Sequence, residues 1–576
     1  MIARSFAIIL LLCAQIAAAQ PGAGTFQREA VAAAHPAASD AGAQILAQGG
    51  NAVDAAVATS FALAVVRPES CGIGGGGFMV IHLPRDGAEP VQVAINYREC
   101  APEAVGPDFY ESLPKGASTR GATAVGVPGT VAGLLHALDR YGTMDRAEVL
   151  APAIKLARDG FEADDHFVGA ARGLIGDFAG DTQMQERFAF VLETFLRRGE
   201  IQPGDLIRNP AMARCLELIA ADGAGAFYDG PIADAIVRAI ERDGGPMTRD
   251  DLRAFEPREV EPVRFSFAGR SFLGMPPPSS GGVAMAQTLG ILERTAFVES
   301  AASGLSADSA HLLAEALKHA FADRAEWYGD PDFVDVSVDR LLSDDYLDAL
   351  AGRIDLRATQ PPAAYGSRDA AGALAPPPDD GGTSHLCVVD QWGGAVACTE
   401  TVNLSFGSLL AVPEFGFVLN NQMDDFTTRR GQANAFGLRQ SDRNLPAPRK
   451  RPLSSMSPTI ALDADGAVIA VAGAAGGPRI ITATLQALLN ALVFDMTAAD
   501  ALAAARLHHQ WSPDRLALTP GWWETETGRA IIASLESRGH DMYKRADLGE
   551  AQLIIRRDGA WQAACDATTG SKPAGR

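Results

Sequence analysis

A threonine stands where an unpatterned stretch meets a β-rich run. Asp379-Asp380-Gly381-Gly382 ends the stretch, and Thr383-Ser384-His385 opens the run. A hydroxyl becomes a nucleophile when a base takes its proton. One way to supply the base is to cut the chain just before the threonine, so that its own α-amine serves. Gly382 is small and the preceding loop is free to swing away, so the sequence permits such a cut. Alone the pattern is weak, because a Thr at a strand start is ordinarily structural.

Three other groups of residues invite a chemical reading. Gly72-Ile73-Gly74-Gly75-Gly76-Gly77 matches the spacing of a dinucleotide loop. That loop needs a strand before it and a helix after it. Here a helix precedes and the strand Phe78 to Leu83 follows, so a close-packed turn is the better reading. His508-His509 has the look of a metal site, but neighbouring side chains point apart and no acidic partner is spaced for coordination. Six cysteines follow Cys13, none in a C-x-x-C pair, which is no disulfide framework. Cys387 and Cys398 flank a turn, Asp390 to Gly394. They are cross-strand neighbours or two small buried hydrophobes.

The elements around these residues fall into two regimes. Ala-rich helices come first: Ser39 to Ala47, Asn51 to Val66, one ending near Tyr141, Ala151 to Arg158, Asn209 to Ala221, Gly230 to Arg242, Ala284 to Glu293 and Ala307 to Trp327. Residues 357–382, rich in Pro and small residues, read as a flexible linker or surface loop. Strands cluster after it: Thr383 to Val389 and Ala395 to Thr401 as a hairpin, then Phe417 to Leu419, Thr459 to Leu462, Val468 to Val471 and Ala551 to Arg556. No βαβ alternation is present, so a layered α/β or α+β architecture with antiparallel strands is expected. The 576 residues carry a net charge of −21 and no long basic run, which excludes nucleic acid as the main partner. Residues 1–19 read as a signal peptide, with Arg4, an apolar core and Ala17-Ala18-Ala19 before Gln20. No later run is apolar over ~20 residues, so no membrane association is expected once the signal is removed.

The segment Gly382-Thr383-Ser384-His385-Leu386-Cys387-Val388-Val389-Asp390 resembles the nucleophile segment of the gamma-glutamyltranspeptidases, a family of N-terminal-nucleophile hydrolases. Other blocks match in the same order. Asn51 to Val57, Gly74 to Phe78, and Arg98-Glu99 with Ala101-Pro102 fit the large subunit. Thr401-Val402-Asn403, Leu419 to Phe426, Pro452 to Thr459 and Gly476 to Ile480 fit the small one. The likeness runs from about Val31 to the C-terminus.

This resemblance implies a four-layer αββα sandwich. It implies self-cleavage between Gly382 and Thr383, giving a large subunit 20–382 and a small catalytic subunit 383–576 that form one interleaved heterodimer. Thr383 would be the nucleophile and Thr401 would orient its hydroxyl. The N–H groups of Gly476 and Gly477 would form the oxyanion hole. Arg98 would grip the α-carboxylate of a glutamyl group, its planar fork suiting a carboxylate, with Asn403, Ser454 and Ser455 sharing it. Gln422 and Asp425 would take the α-ammonium. The activity implied is γ-glutamyl transfer from glutathione-like donors to water, amino acids or dipeptides, through a threonine ester. No metal or organic cofactor is implied, His508-His509 included, and the location implied is periplasmic. Asn403-Leu404-Ser405 is a glycosylation pattern, but the role implied for Asn403 argues against its use. Two departures stand out. Ser384 follows the nucleophile where many relatives have Thr, and Phe436 stands in the lid segment, Thr427 to Lys450, where bacterial relatives often place a Tyr that bonds Asn403. A glutaryl or cephalosporin acylase of the same superfamily is the nearest rival, and an uncleaved periplasmic binding protein is a second.

Overall fold

The computed structural model describes residues 22–301, 304–366 and 382–576, so the signal peptide and most of the expected linker lie outside the described residues. Two seven-stranded sheets form the centre. In order across the first sheet lie Ala574–Gly575, Ala30–Ala33, Gly382–Val389, Ala395–Asn403, Gly76–Arg85, Ala88–Tyr97 and Arg258–Val260. Across the second lie Ala23–Phe26, Ala560–Cys565, Glu550–Arg557, Val468–Ala475, Thr459–Leu462, Arg270–Gly274 and Val263–Phe267. Every pairing within these two sheets is antiparallel.

Period-2 alternation sorts the side chains of the first sheet into two cores. Ala30, Ala32, Phe78, Val80, Cys387, Val389, Ala395 and Ala397 face the second sheet. Val31, Ala33, Met79, Ile81, Leu386, Val388, Val396 and Cys398 face helices. Pro36–Ala47 and Ala52–Val66 form that helical layer. The second of these helices is buried along its whole length, which fits a sequence apolar on every side. Gly281–Glu293, Ala307–Trp327 and Arg479–Leu492 cover the other sheet, completing the αββα order.

Local chemistry fixes the hairpin Gly382–Val389/Ala395–Asn403. Asp390 Oδ1 accepts from Trp392 N and Gly394 N inside the turn. Its Oδ2 accepts from Ala52 N at 2.9 Å, which ties the turn to the start of the helix beneath. Asn51 and Asp54 form a capping box at that same start. The register pairs Leu386 with Cys398 and Cys387 with Ala397. The two cysteines therefore point to opposite faces and do not form the cross-strand pair that the turn suggested; all six described cysteines are free and buried. The beginning of the expected linker is held down, with Tyr365 buried and its hydroxyl 2.5 Å from Glu315.

Residues before and after Gly382 interleave. In each sheet, strands from the C-terminal portion occupy the middle with strands from the N-terminal portion on both sides, and in the first sheet Ala574–Gly575 adds a further C-terminal strand at the edge, outside Ala30–Ala33.

Glu400 lies on the helix-facing side of the hairpin, where it accepts hydrogen bonds from Ser60 and Tyr97. Burial pushes its carboxyl up to about 7, against these two hydrogen bonds. From the ordinary 4.5 up to that value, the unfolded chain loses the proton while the folded chain keeps it. Stability therefore falls as pH rises through the window. Glu400→Gln has no proton to lose. Its melting temperature relative to wild type should climb between pH 5 and 7 and level off above, as measured by thermal unfolding across that range.

Candidate active site

Thr383 and Thr401 are directly opposite one another on the hairpin, on the face turned toward the second sheet. Their hydroxyl oxygens are 3.1 Å apart. Thr401 Oγ1 donates to the Gly382 carbonyl oxygen at 2.5 Å and accepts from Asn403 N at 2.8 Å. Its single proton being spent on that carbonyl, the remaining lone pair is the acceptor for the Thr383 hydroxyl. The arrangement polarises the Gly382 carbonyl and aims a hydroxyl beside it. Asn403 holds a left-handed backbone, φ 82°, and a bulge sits between Gly382 and Thr383.

The site is held from behind by close backbone packing. A Cβ on Gly75 would lie 2.1 Å from the Thr401 carbonyl oxygen, and one on Gly74 the same distance from that of Val418. The Gly-rich run is thus a packed turn, as its helix-before-strand order indicates. His385, on the same face as Thr383, is pushed down to about 3 by burial and is neutral. Its ring nitrogens lie 2.8 Å from Thr399 Oγ1 and 3.2 Å from Cys387 Sγ. The ring fills the space over Gly473, where a Cβ would come within 2.2 Å of it. His385 packs the sheets together and is not a base for Thr383.

A narrow cleft opens beside Thr383. Arg98, Asn403, Gln422, Asp425, Ser454, Ser455 and Gly477 all line it with Thr383 and Thr401. Gly476 precedes Gly477 at the end of Val468–Ala475, and both hold positive φ, 129° and 55°. Arg98 follows the strand Ala88–Tyr97 and is 1% exposed. It donates to the carbonyls of Pro452 and Leu453, and its Nη2 pairs with Asp425 Oδ2 at 2.5 Å. Gln422 Nε2 donates to the same carboxylate oxygen at 2.8 Å, while Gln422 Oε1 is buried without a hydrogen-bond partner. The two groups expected on opposite ends of a substrate therefore meet each other here. Asp424, by contrast, is absorbed by Ser118 Oγ and Ala435 N, and burial pushes it up to about 6. Glu99, beside Arg98, is pushed up to about 8 by burial, with Arg98 acting the other way.

The Ser454-Ser455 turn rests on the Pro-rich turn ahead of Gly281–Glu293. Ser454 N donates to Pro278 O, and Ser280 N and Oγ both donate to Ser454 O. Ser455 Oγ accepts from Arg324 Nη2 at 3.2 Å. Arg324, from the long helix Ala307–Trp327, also lines the cleft. Sequence reasoning missed it because it sits in an ordinary helix, and its only signal was a charged residue on a helix face that is otherwise apolar.

The lid segment closes one side. Asn434 Nδ2 donates to Asp425 Oδ1 at 3.2 Å, and Asn444 Nδ2 donates to Asp425 O at 2.7 Å. Phe436 and Leu438 present apolar surface to the cleft, and Phe436 is 4% exposed. The Asn403 amide, left without a tyrosine, donates to Asn421 O at 3.0 Å.

His508 and His509 are absorbed by the fold. Burial lowers them to about 3 and about 4. His508 contacts Thr482 and Gln510, and His509 contacts Trp511 N and Asp514. The described residues whose ligand atoms do converge are His311, Glu315 and His540, within 4.8 Å of one another. The buried Lys318 ammonium lies 3.9 Å from Glu315 and already supplies a cation there.

The family model for gamma-glutamyltranspeptidase matches residues 38–575. The chain is 39% identical over 542 residues to the glutathione hydrolase proenzyme of Escherichia coli strain K12, covering 93% of this chain and 90% of that protein. Among solved structures, a cephalosporin acylase from Bacillus halodurans superposes with TM-score 0.82 at 25% identity, over 99% of each chain. The gamma-glutamyltranspeptidase from Pseudomonas nitroreducens complexed with L-DON matches with TM-score 0.51 at 39% identity, over 56% of this chain and 93% of that one.

Because Gly75 abuts backbone, Gly75→Ala must displace the Thr401 carbonyl and with it the hydroxyl that bonds Gly382. Gly72 has nothing within 4 Å of its Cβ position. Gly75→Ala should slow the cut expected before Thr383 by at least about tenfold, and Gly72→Ala should leave it unchanged. A denaturing gel time course measures both.

Proposed function

Because the chain belongs to the gamma-glutamyltranspeptidase family, we propose that Thr383 is both the nucleophile of self-cleavage and, once freed, the N-terminal catalytic residue. The protein is a glutathione hydrolase and gamma-glutamyltransferase made as a proenzyme. The observation that carries the residue assignment is the hydroxyl relay from Thr383 to Thr401 to the Gly382 carbonyl. In the precursor, Thr383 Oγ1 attacks the Gly382 carbonyl carbon, and the peptide C–N bond is exchanged for an ester. Water then adds its hydroxyl to the Gly382 acyl carbon and returns a proton to Thr383 Oγ1. The products are a large subunit ending at Gly382 and a small subunit, 383–576, whose α-amine now stands beside its own hydroxyl. The interleaved sheets hold the two subunits together as a heterodimer.

In turnover, that α-amine takes the hydroxyl proton. Thr383 Oγ1 attacks the γ-carbonyl of the donor, the N–H groups of Gly476 and Gly477 receive the developing oxyanion, and the amine leaves protonated. Water, an amino acid or a dipeptide amine resolves the ester.

Charge pairing supports the choice of donor. The resting cleft has one ion pair, Arg98 with Asp425. A donor carrying both an α-carboxylate and an α-ammonium exchanges that pair for two, and no charge is left buried alone. Gln422 Oε1, lacking a partner, is an acceptor for the ammonium. A glutaryl group has no ammonium, so taking Arg98 would strand Asp425; the acylase reading is disfavoured on this ground. We assign Asn403, Ser454 and Ser455 to the carboxylate side, and export to the periplasm to the segment 1–19. Among the described residues no helix is long and apolar enough to cross a membrane.

Thr383→Ala tests the nucleophile. The variant should remain a single chain on a denaturing gel and be inactive on glutathione; two fragments would overturn the assignment. Asp425→Asn tests the donor site. A charged hydrogen bond is worth roughly 1.5–3 kcal/mol, so kcat/KM for a γ-glutamyl anilide should fall about 10- to 150-fold. Cleavage into two chains should persist, since the cut uses no ammonium.

A further inference from the structure

Resting on the donor site assigned above, we propose that Arg324 is a specificity-determining residue: a second guanidinium that receives the α-carboxylate of the donor together with Ser455. Arg324 is 2% exposed and lines the cleft that holds Thr383 and Arg98. Its Nε donates to Ser280 Oγ at 2.9 Å and its Nη2 to Ser455 Oγ at 3.2 Å. Both contacts are to neutral hydroxyls. Its Nη1 is buried with no hydrogen-bond partner.

Burying a guanidinium against hydroxyls alone is unfavourable unless an anion completes it. The nearest acid of the cleft, Asp425, is already held by Arg98, Gln422 and Asn434. Two cations thus share one carboxylate in the resting cleft, and Glu99 adds little negative charge because burial raises it to about 8. The surplus positive charge and the unpartnered N–H together call for an anion. Burial, the leading cause, lowers Arg324 to about 10, still charged at neutral pH, while Asp425 acts to raise it and Arg98 to lower it further. Arg324, whose donor Nη1 is unpartnered, and Gln422, whose acceptor Oε1 is unpartnered, line the same cleft. Carboxylate and ammonium are the groups that satisfy such a pair. A donor carboxylate that approaches Ser455 also enters the field of Arg324, so it is met from two sides when Arg98 releases Asp425.

The test compares two donors on purified, processed enzyme: γ-glutamyl-p-nitroanilide, and the same anilide with its α-carboxyl converted to the carboxamide. Arg324→Met should lower kcat/KM for the carboxylate donor about 10- to 150-fold, mainly through KM. The carboxamide donor should change less than about threefold, so the preference of wild type for the carboxylate collapses. Arg324→Lys, keeping the charge, should retain most of that preference. Arg324→Gln keeps N–H donors for Ser455 without the charge, and is read as the Met variant is if that one fails to mature. Equal losses on both donors, retention of the full preference by the Met or Gln variant, or failure of both to mature would overturn the role of Arg324. Absence of turnover by the wild-type enzyme would instead overturn the donor-site reading, and this proposal with it.

Discussion

The register of one hairpin governs the chemistry. Thr383 faces Thr401, and Thr401 reaches back to the carbonyl of Gly382. A one-residue slip of either strand would turn its threonine hydroxyl into the helical layer, away from the other, because side chains alternate along a strand. The surrounding structure removes that freedom. Asp390 ties the turn of the hairpin to the capped end of a buried helix, the Gly74-Gly75 turn presses on the Thr401 carbonyl, and His385 wedges over Gly473 in the facing strand. These contacts come from three separate stretches of chain outside the hairpin. Each is a packing constraint of small tolerance, and each acts on the same two threonines.

The cleft applies a different principle to the donor. Arg98 and Asp425 are paired with each other before anything binds, so neither is isolated in the resting protein. On the proposed donor assignment, selectivity comes from the exchange of partners, since only a ligand with both signs of charge releases Arg98 from Asp425 without stranding either. Asp424 and Asp425 make the point at single-residue resolution. They are adjacent and chemically identical, yet one is consumed by Ser118 and Ala435 N and the other faces the cleft. The lid also holds Asp425, through Asn434 on the carboxylate oxygen that Arg98 does not take and through Asn444 on its backbone carbonyl.

Much of this was legible in the sequence. The layered antiparallel architecture, the hairpin, the long helix Ala307–Trp327 and the reversed order around the Gly-rich run follow from apolar period and turn residues. The candidate site residues were proposed only through resemblance, because spacing alone does not bring Arg98 to Asp425 across 327 positions. The strand Ala88–Tyr97, which delivers Arg98, carries an alternating Val91, Val93, Ile95 pattern that was available and went unread. Arg324 had only a weak local signal, a charge on an otherwise apolar helix face, because its place in the cleft comes from where its helix lies relative to the Ser454-Ser455 turn. Of the two readings of Cys387 and Cys398, the structure bears out the small buried hydrophobes: residues whose partners are Ala397 and Leu386 occupy opposite faces of the sheet.

Interleaving explains why a proenzyme suits this fold. The strand that begins at Gly382 has an edge on Ala30–Ala33 and an edge on Ala395–Asn403, so it is an inner strand of its sheet. A separately made small subunit would have to insert a hairpin between Ala30–Ala33 and Gly76–Arg85, and four further strands between Ala23–Phe26 and Arg270–Gly274. One continuous chain forms those pairings during folding. The proposed cut then releases the α-amine of Thr383 at a position already fixed by its neighbours, with Thr401 Oγ1 2.5 Å from the carbonyl oxygen of the peptide bond being severed. The base thus appears only where the hydroxyl relay is already assembled, and a chain that has not reached this register lacks both the means to cut itself and the amine to act afterwards.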